Sequence, residues 1–100
     1  MKSSGSKTTS GIMMMGPGRF FGFLVTPDGT NNVTITFYDN ATAASGVKLT
    51  TTLTFAGNGG SQTWQPPIEA VDCFNGVYAA VSVAGGGSVE FITYTESGAK

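Results

Sequence analysis

Residues 25–40 read VTPDGTNNVTITFYDN. An apolar run ends at Val25. A connection follows, built from Pro27, Asp28, Gly29, Asn31 and Asn32. Then Val33, Ile35 and Phe37 alternate with Thr34, Thr36 and Tyr38 before the segment closes on Asp39 and Asn40. Alternation of this kind marks a half-buried strand, because successive side chains point to opposite faces of a sheet. The two aspartates pose the functional question: do they gather around a metal or a sugar, or do they only shape turns? A glycosidase needs two carboxylates at a short, defined separation. Asp28 and Asp39 bracket an extended strand roughly 23 Å long at about 3.3 Å per residue. The loop also lacks the dense acidic spacing of a calcium loop. Asx side chains bond readily to their own backbone, so both aspartates are read as turn residues and PDGTNN as a connection.

Period two extends outward from this stretch in both directions. RFFGFLVT is predicted to set Phe21, Phe23 and Val25 against Phe20 and Leu24. VKLTTTLTFA sets Val47, Leu49, Thr51, Leu53 and Phe55 against Lys48, Thr50, Thr52 and Thr54. VYAAVSV and VEFITYT continue the device near the end. At helical period only NATAASG competes, with room for one turn. The clusters DGTNN, GNGG, FNG and AGGG punctuate the strands. Asn75-Gly76 reads as a tight hairpin, and Gly85 to Gly87 as the turn of the last one. The prediction is all-β: a small antiparallel β-sandwich or jelly-roll-like domain of about six or seven strands, preceded by a flexible N-terminal arm. The arm covers residues 1–18 and the domain 19–100.

The bulk composition narrows the function. Of 100 residues, 40% are hydrophobic, enough for one modest core, yet only 11% are charged. The five cations, Lys2, Lys7, Arg19, Lys48 and Lys100, are scattered, and the net charge is −1. Phosphate neutralisation needs clustered Lys and Arg, so nucleic acid is not an expected partner. One cysteine, Cys73, and no histidine rule out a disulfide framework and a Cys/His zinc site. The commonest general base is missing too, and no cofactor is expected. Cys73 has no cationic neighbour in sequence to stabilise a thiolate, and reads as a buried structural thiol. The apolar run in GIMMMG is too short for a signal core or a membrane span. The chain is expected to be made in a cytoplasm, without the usual export route and without a membrane partner.

Three features bear on protein contacts. Ile12, Met13, Met14 and Met15 interrupt a Ser/Thr/Gly/Lys-rich leader. They are read either as a first strand in the domain's own core or as an anchor for a neighbouring subunit, for which flexible thioethers are suited. Trp64, in SQTWQPP, is read as a rim tryptophan closing the sandwich, as a partner anchor, or as a sugar-stacking platform beside Asn58, Gln62 and Gln65. Thr34, Thr36, Thr50, Thr52 and Thr54 are predicted to line strand exteriors without charge, a surface compatible with assembly.

The blocks GFLVTPDGTNNVTITFYDN, SGVKL and NGVYAAVSVAGGGSVEFITY resemble small all-β structural proteins of tailed-bacteriophage virions. The shared features are the D-G-T-N turn, the Y-D-N strand exit, the S-G before the next strand and the terminal N-G-V-Y-A segment. The resemblance spans about residues 19–94 and rests on turn chemistry. It implies a capsid decoration (cement) protein, non-enzymatic, located in the virion. Such a protein binds the major capsid protein or another virion protein, and a homo-trimer is possible. A neck, tail or fibre module and a glycan-binding sandwich are the alternatives.

Overall fold

The computed structural model describes residues 2–67 and 69–98. Two antiparallel sheets pack face to face. The first holds β1 (Lys2–Ser3), β10 (Val89–Ser97), β3 (Gly18–Pro27) and, side by side along the far edge of β3, β7 (Gln62–Trp64) and β8 (Val71–Cys73). The second holds β2 (Gly11–Met15), β9 (Gly76–Val83), β4 (Val33–Asp39) and, along β4, β5 (Val47–Lys48) and β6 (Leu53–Phe55). The predicted all-β sandwich is the architecture found. Its long pairs are nested: β3 with β10 in one sheet and β4 with β9 in the other. This is a jelly-roll-like wrap.

The described residues hold ten strand segments, against the six or seven expected. Two come from the leader, where Lys2–Ser3 lies against Thr95 and Tyr94 and Gly11–Met15 lies against β9. Lys7 adds an isolated bridge to Phe91. The threonine-rich run also splits. Leu49 and Thr50 both donate their N–H to the Phe37 carbonyl, while the Phe37 N–H donates to Thr50 Oγ1. A hydroxyl thereby replaces a ladder carbonyl, and Thr50, expected outside, is buried. Val47, expected on the apolar side, is exposed. The terminal Met1, Ala99 and Lys100 lie outside the described residues.

The turns fall where expected but join different strands. PDGTNN carries the chain from the first sheet to the second, and residues 84–88 carry it back. Asn75-Gly76 links β8 to β9 across sheets. A two-residue hairpin turn of the predicted type needs positive φ at both central residues. Only Gly76 has it, at +148°; no non-glycine residue does among those described.

The core is aromatic at its centre. Phe37 of β4 sits 4.9 Å from Phe20 and 4.7 Å from Phe23, centroid to centroid. Phe91, Ile35, Val25, Val33 and Val77 close around them. Each such side chain contributes about 1.5–3 kcal/mol when fully buried. The expected parity of β3 is corrected at its N-terminal half: Phe20 joins Phe23 and Val25 inside, and Phe21 is turned outward. The cause is a β-bulge opposite Tyr94 and Thr95, which places an extra residue between Phe20 and Gly22. Gly22 has φ +124°, and a Cβ there would lie 2.2 Å from the Trp64 carbonyl oxygen. Only glycine fits.

Candidate interaction surfaces and a ligand cleft

The two aspartates of the opening stretch stand at opposite ends of β4 and act as separate clamps. Asp28 Oδ1 accepts the N–H of Thr30 and of Asn31, both at 2.8 Å. Its Oδ2 accepts from Asn31 Nδ2 and from the Ser88 N–H at 3.0 Å. One carboxylate thus ties the two sheet-to-sheet corners together. These backbone and amide donors, those of Asn31 foremost, hold the Asp28 carboxyl far below the ordinary carboxylate range. Asp39 is buried. It accepts the N–H groups of Phe74 (3.0 and 3.1 Å), Asn75 (2.8 Å) and Gly76 (3.3 Å). Asp39 therefore shapes a turn distant in sequence, not its own. Asn40 caps the following loop, its Oδ1 accepting from the N–H groups of Thr42 and Ala43. No group of three or more acidic or cysteine side chains is placed to hold a metal among the described residues.

Cys73 is buried beneath the first sheet. Burial, and then the neighbouring carboxylates Asp39 and Asp72, push its thiol up to about 12. It is a protonated thiol at neutral pH, its Sγ 3.7 Å from the Val71 carbonyl oxygen.

The methionine strand divides its side chains between core and surface. A bulge between Ile12 and Met14 puts Ile12 opposite Tyr78 and Met14 opposite Val77. Met14 enters the core and Met13 packs against it, while Ile12 (42%) and Met15 (70%) remain exposed. Among the described residues β2 pairs only with β9, so its other edge is open. Sequence reasoning missed two further exposed apolar side chains at the same end, Phe74 (76%) and Val47 (68%). Both are tied to Asp39: Phe74 through its N–H and Val47 as its strand partner.

The outer faces differ in charge. On the second sheet, Thr34, Thr36 and Tyr38 of β4 stand beside Ser82, Ala80 and Tyr78 of β9. Thr54 continues the row beyond Thr34, whereas Thr36, expected outside, is buried under the threonine run and donates to Thr52 at 3.2 Å. Lys48, beside Tyr38, is the one charge in these rows. The first sheet instead pairs Glu90 with Thr26, Glu96 with Arg19, and Arg19 with Asp72, the last at 3.9 Å.

Trp64 is half-buried and stacks nearly parallel to Phe20 and Phe23, at 5.9 and 6.0 Å. Its strand β7 separates two hollows. One, of about 480 Å³, is lined by residues 48–52 and Trp64. The other, of about 370 Å³, is lined by Phe21, Thr63, Trp64, Gln65, Glu69 and Tyr94, with Phe23 beneath. Of the amides expected beside Trp64, only Gln65 reaches this cleft. Gln62 is directed to the carbonyls of Ala56 and Gly60. The sequence signal for the cleft was the glycine inside an aromatic strand, since Gly22 both bulges Phe21 outward and leaves no side chain of its own.

Fold and surfaces together define a two-sheet β-sandwich with one nearly uncharged face, an open methionine edge and an aromatic cleft. Comparison with protein-family models, curated proteins and solved structures finds no match to this chain.

Proposed function

We propose that this chain is a structural component of a bacteriophage virion, specifically a decoration protein that seats on the major capsid protein shell and stabilises it non-covalently. The observation that carries the reading is the open edge of β2, which presents Ile12 and Met15 to solvent beside an almost uncharged sheet face. Unpaired strand edges accept a strand from another chain, and exposed apolar side chains supply the specificity. A face of hydroxyls can be covered without stranding an ion, which would be costly. The resemblance in turn chemistry to phage virion proteins supplies the context. The work done is adhesive, with no reaction and no cofactor in it. A neck, tail or fibre station would use the same surfaces. Copy number per particle separates the two: hundreds indicate the shell, and a few copies indicate a tail or neck.

The test uses point substitutions, because deleting residues 1–16 would also remove Met14 from the core. Ile12→Asp and Met15→Asp alter exposed positions and should leave the unfolding midpoint nearly unchanged. In co-sedimentation with capsids lacking the protein, both are expected to lose occupancy. Wild-type occupancy by the double variant would refute the edge as the contact. Native mass spectrometry of the free protein reports whether it is a trimer.

A further inference from the structure

The cleft beside β7 has no part in the edge contact, and its lining has a chemistry of its own. Phe21 and Tyr94 stand on the outer side of the first sheet, and Trp64, Thr63 and Gln65 come from β7 and its exit. Glu69 comes from the following loop. Thr63, Gln65, Glu69 and Tyr94 make no side-chain hydrogen bond or ion pair among the described residues. Four polar side chains thus converge, uncommitted, on aromatic walls. Their capacities are mixed: Gln65 donates and accepts, the hydroxyls of Thr63 and Tyr94 do both, and Glu69 accepts. Among the described residues no lysine or arginine lines this cleft; Arg19 lines the adjoining hollow with Glu69 and is paired there with Asp72 at 3.9 Å. At about 370 Å³ the cleft lies in the ordinary range for small-ligand sites.

We infer that this cleft is a carbohydrate-binding site for neutral hexose units. Aromatic faces take the C–H face of a pyranose ring, and a balanced set of donors and acceptors matches its hydroxyls. Glu69, with no cation in the lining to offset it, repels acidic sugars. The site is independent of where the protein sits in a particle, so it stands or falls apart from the edge contact.

The experiment is titration of the full chain, by calorimetry and by ¹H–¹⁵N NMR, with glucose-, galactose- and mannose-containing disaccharides. A glucuronic-acid disaccharide and tetramethylammonium are run alongside. At least one neutral disaccharide should saturate, with amide shifts confined to residues 21–22, 63–65, 69 and 94. The glucuronide should not bind. Tyr94→Ala should weaken binding by about tenfold. Phe21→Ala serves as the second variant if that one melts early. Glu69→Gln should keep neutral-sugar affinity within about threefold and admit the glucuronide, because the amide retains an accepting oxygen but not the charge. Three results would overturn the inference: no neutral disaccharide binds, shifts map elsewhere, or tetramethylammonium binds and is lost in Glu69→Gln. The last would make the cleft a cation site.

Discussion

Replacing Asp39 by alanine removes one buried carboxylate that accepts from three backbone N–H groups, those of Phe74, Asn75 and Gly76. A hydrogen bond to a charged group contributes about 1.5–3 kcal/mol net, so simple addition over three donors gives about 4.5–9 kcal/mol. Two effects reduce that sum. Phe74 and Asn75 are exposed, so water can reach their N–H groups once the carboxylate is gone; Gly76 is buried and cannot be rewetted as easily. Removing the carboxylate also relieves its own desolvation cost. The expected loss is therefore about 3 kcal/mol, a large share of the roughly 5–15 kcal/mol that holds a domain of this size together. At about 4–8 °C per kcal/mol, the midpoint should fall by about 12–24 °C. Asp39→Asn keeps an accepting oxygen for the same three donors and should lose about 1–1.5 kcal/mol, about half of the alanine loss, because a neutral acceptor contributes about half as much per bond as a charged one. Urea unfolding followed by tryptophan fluorescence measures both, since Trp64 stacks in the core. A loss below about 1 kcal/mol for the alanine variant would refute the clamp, as would equal losses for alanine and asparagine.

Thr93 is fully buried, and its Oγ1 has no hydrogen-bond partner among the described residues. Thr93→Val should raise stability by about 1 kcal/mol in the same urea assay, since it removes an unpaired hydroxyl at nearly constant shape. Because the folded-state pKa of Asp28 is lowered, its contribution is complete above the ordinary carboxylate value of 3.8 and disappears as pH falls toward the folded value. Urea midpoints measured from pH 5 down to pH 2 should therefore decline, and Asp28→Asn should flatten that decline. Cys73, buried and with its thiol pushed up to about 12, should react with a thiol reagent at pH 8 only as fast as the protein opens. Adding urea should accelerate the labelling; prompt labelling in buffer would contradict the packing.

The sandwich was legible because alternation is local. Val33, Ile35 and Phe37 share one face as read, and the structure turns that face inward, as it does Val89, Phe91, Thr93 and Thr95 of β10. What each turn connects was not legible. The same Asp-Gly and Asn-Gly signals serve a hairpin or a corner between sheets, and the choice depends on pairings such as β3 with β10, made by residues far apart in sequence. The destination of Asp39 was hidden for the same reason: its donors lie 35–37 residues away. The parity of Phe20 and Phe21 failed differently. One extra residue in a strand inverts every side chain before it, so a bulge at Gly22 exchanges which phenylalanine is core and which is surface. Strict alternation across RFFGF would bury Phe21 and leave no aromatic wall opposite Tyr94. The bulge does two things at once: it brings Phe20 against Phe37, and it releases Phe21 to line the cleft. Core packing and the candidate ligand site therefore depend on the same glycine, and a side chain at position 22 would disturb both.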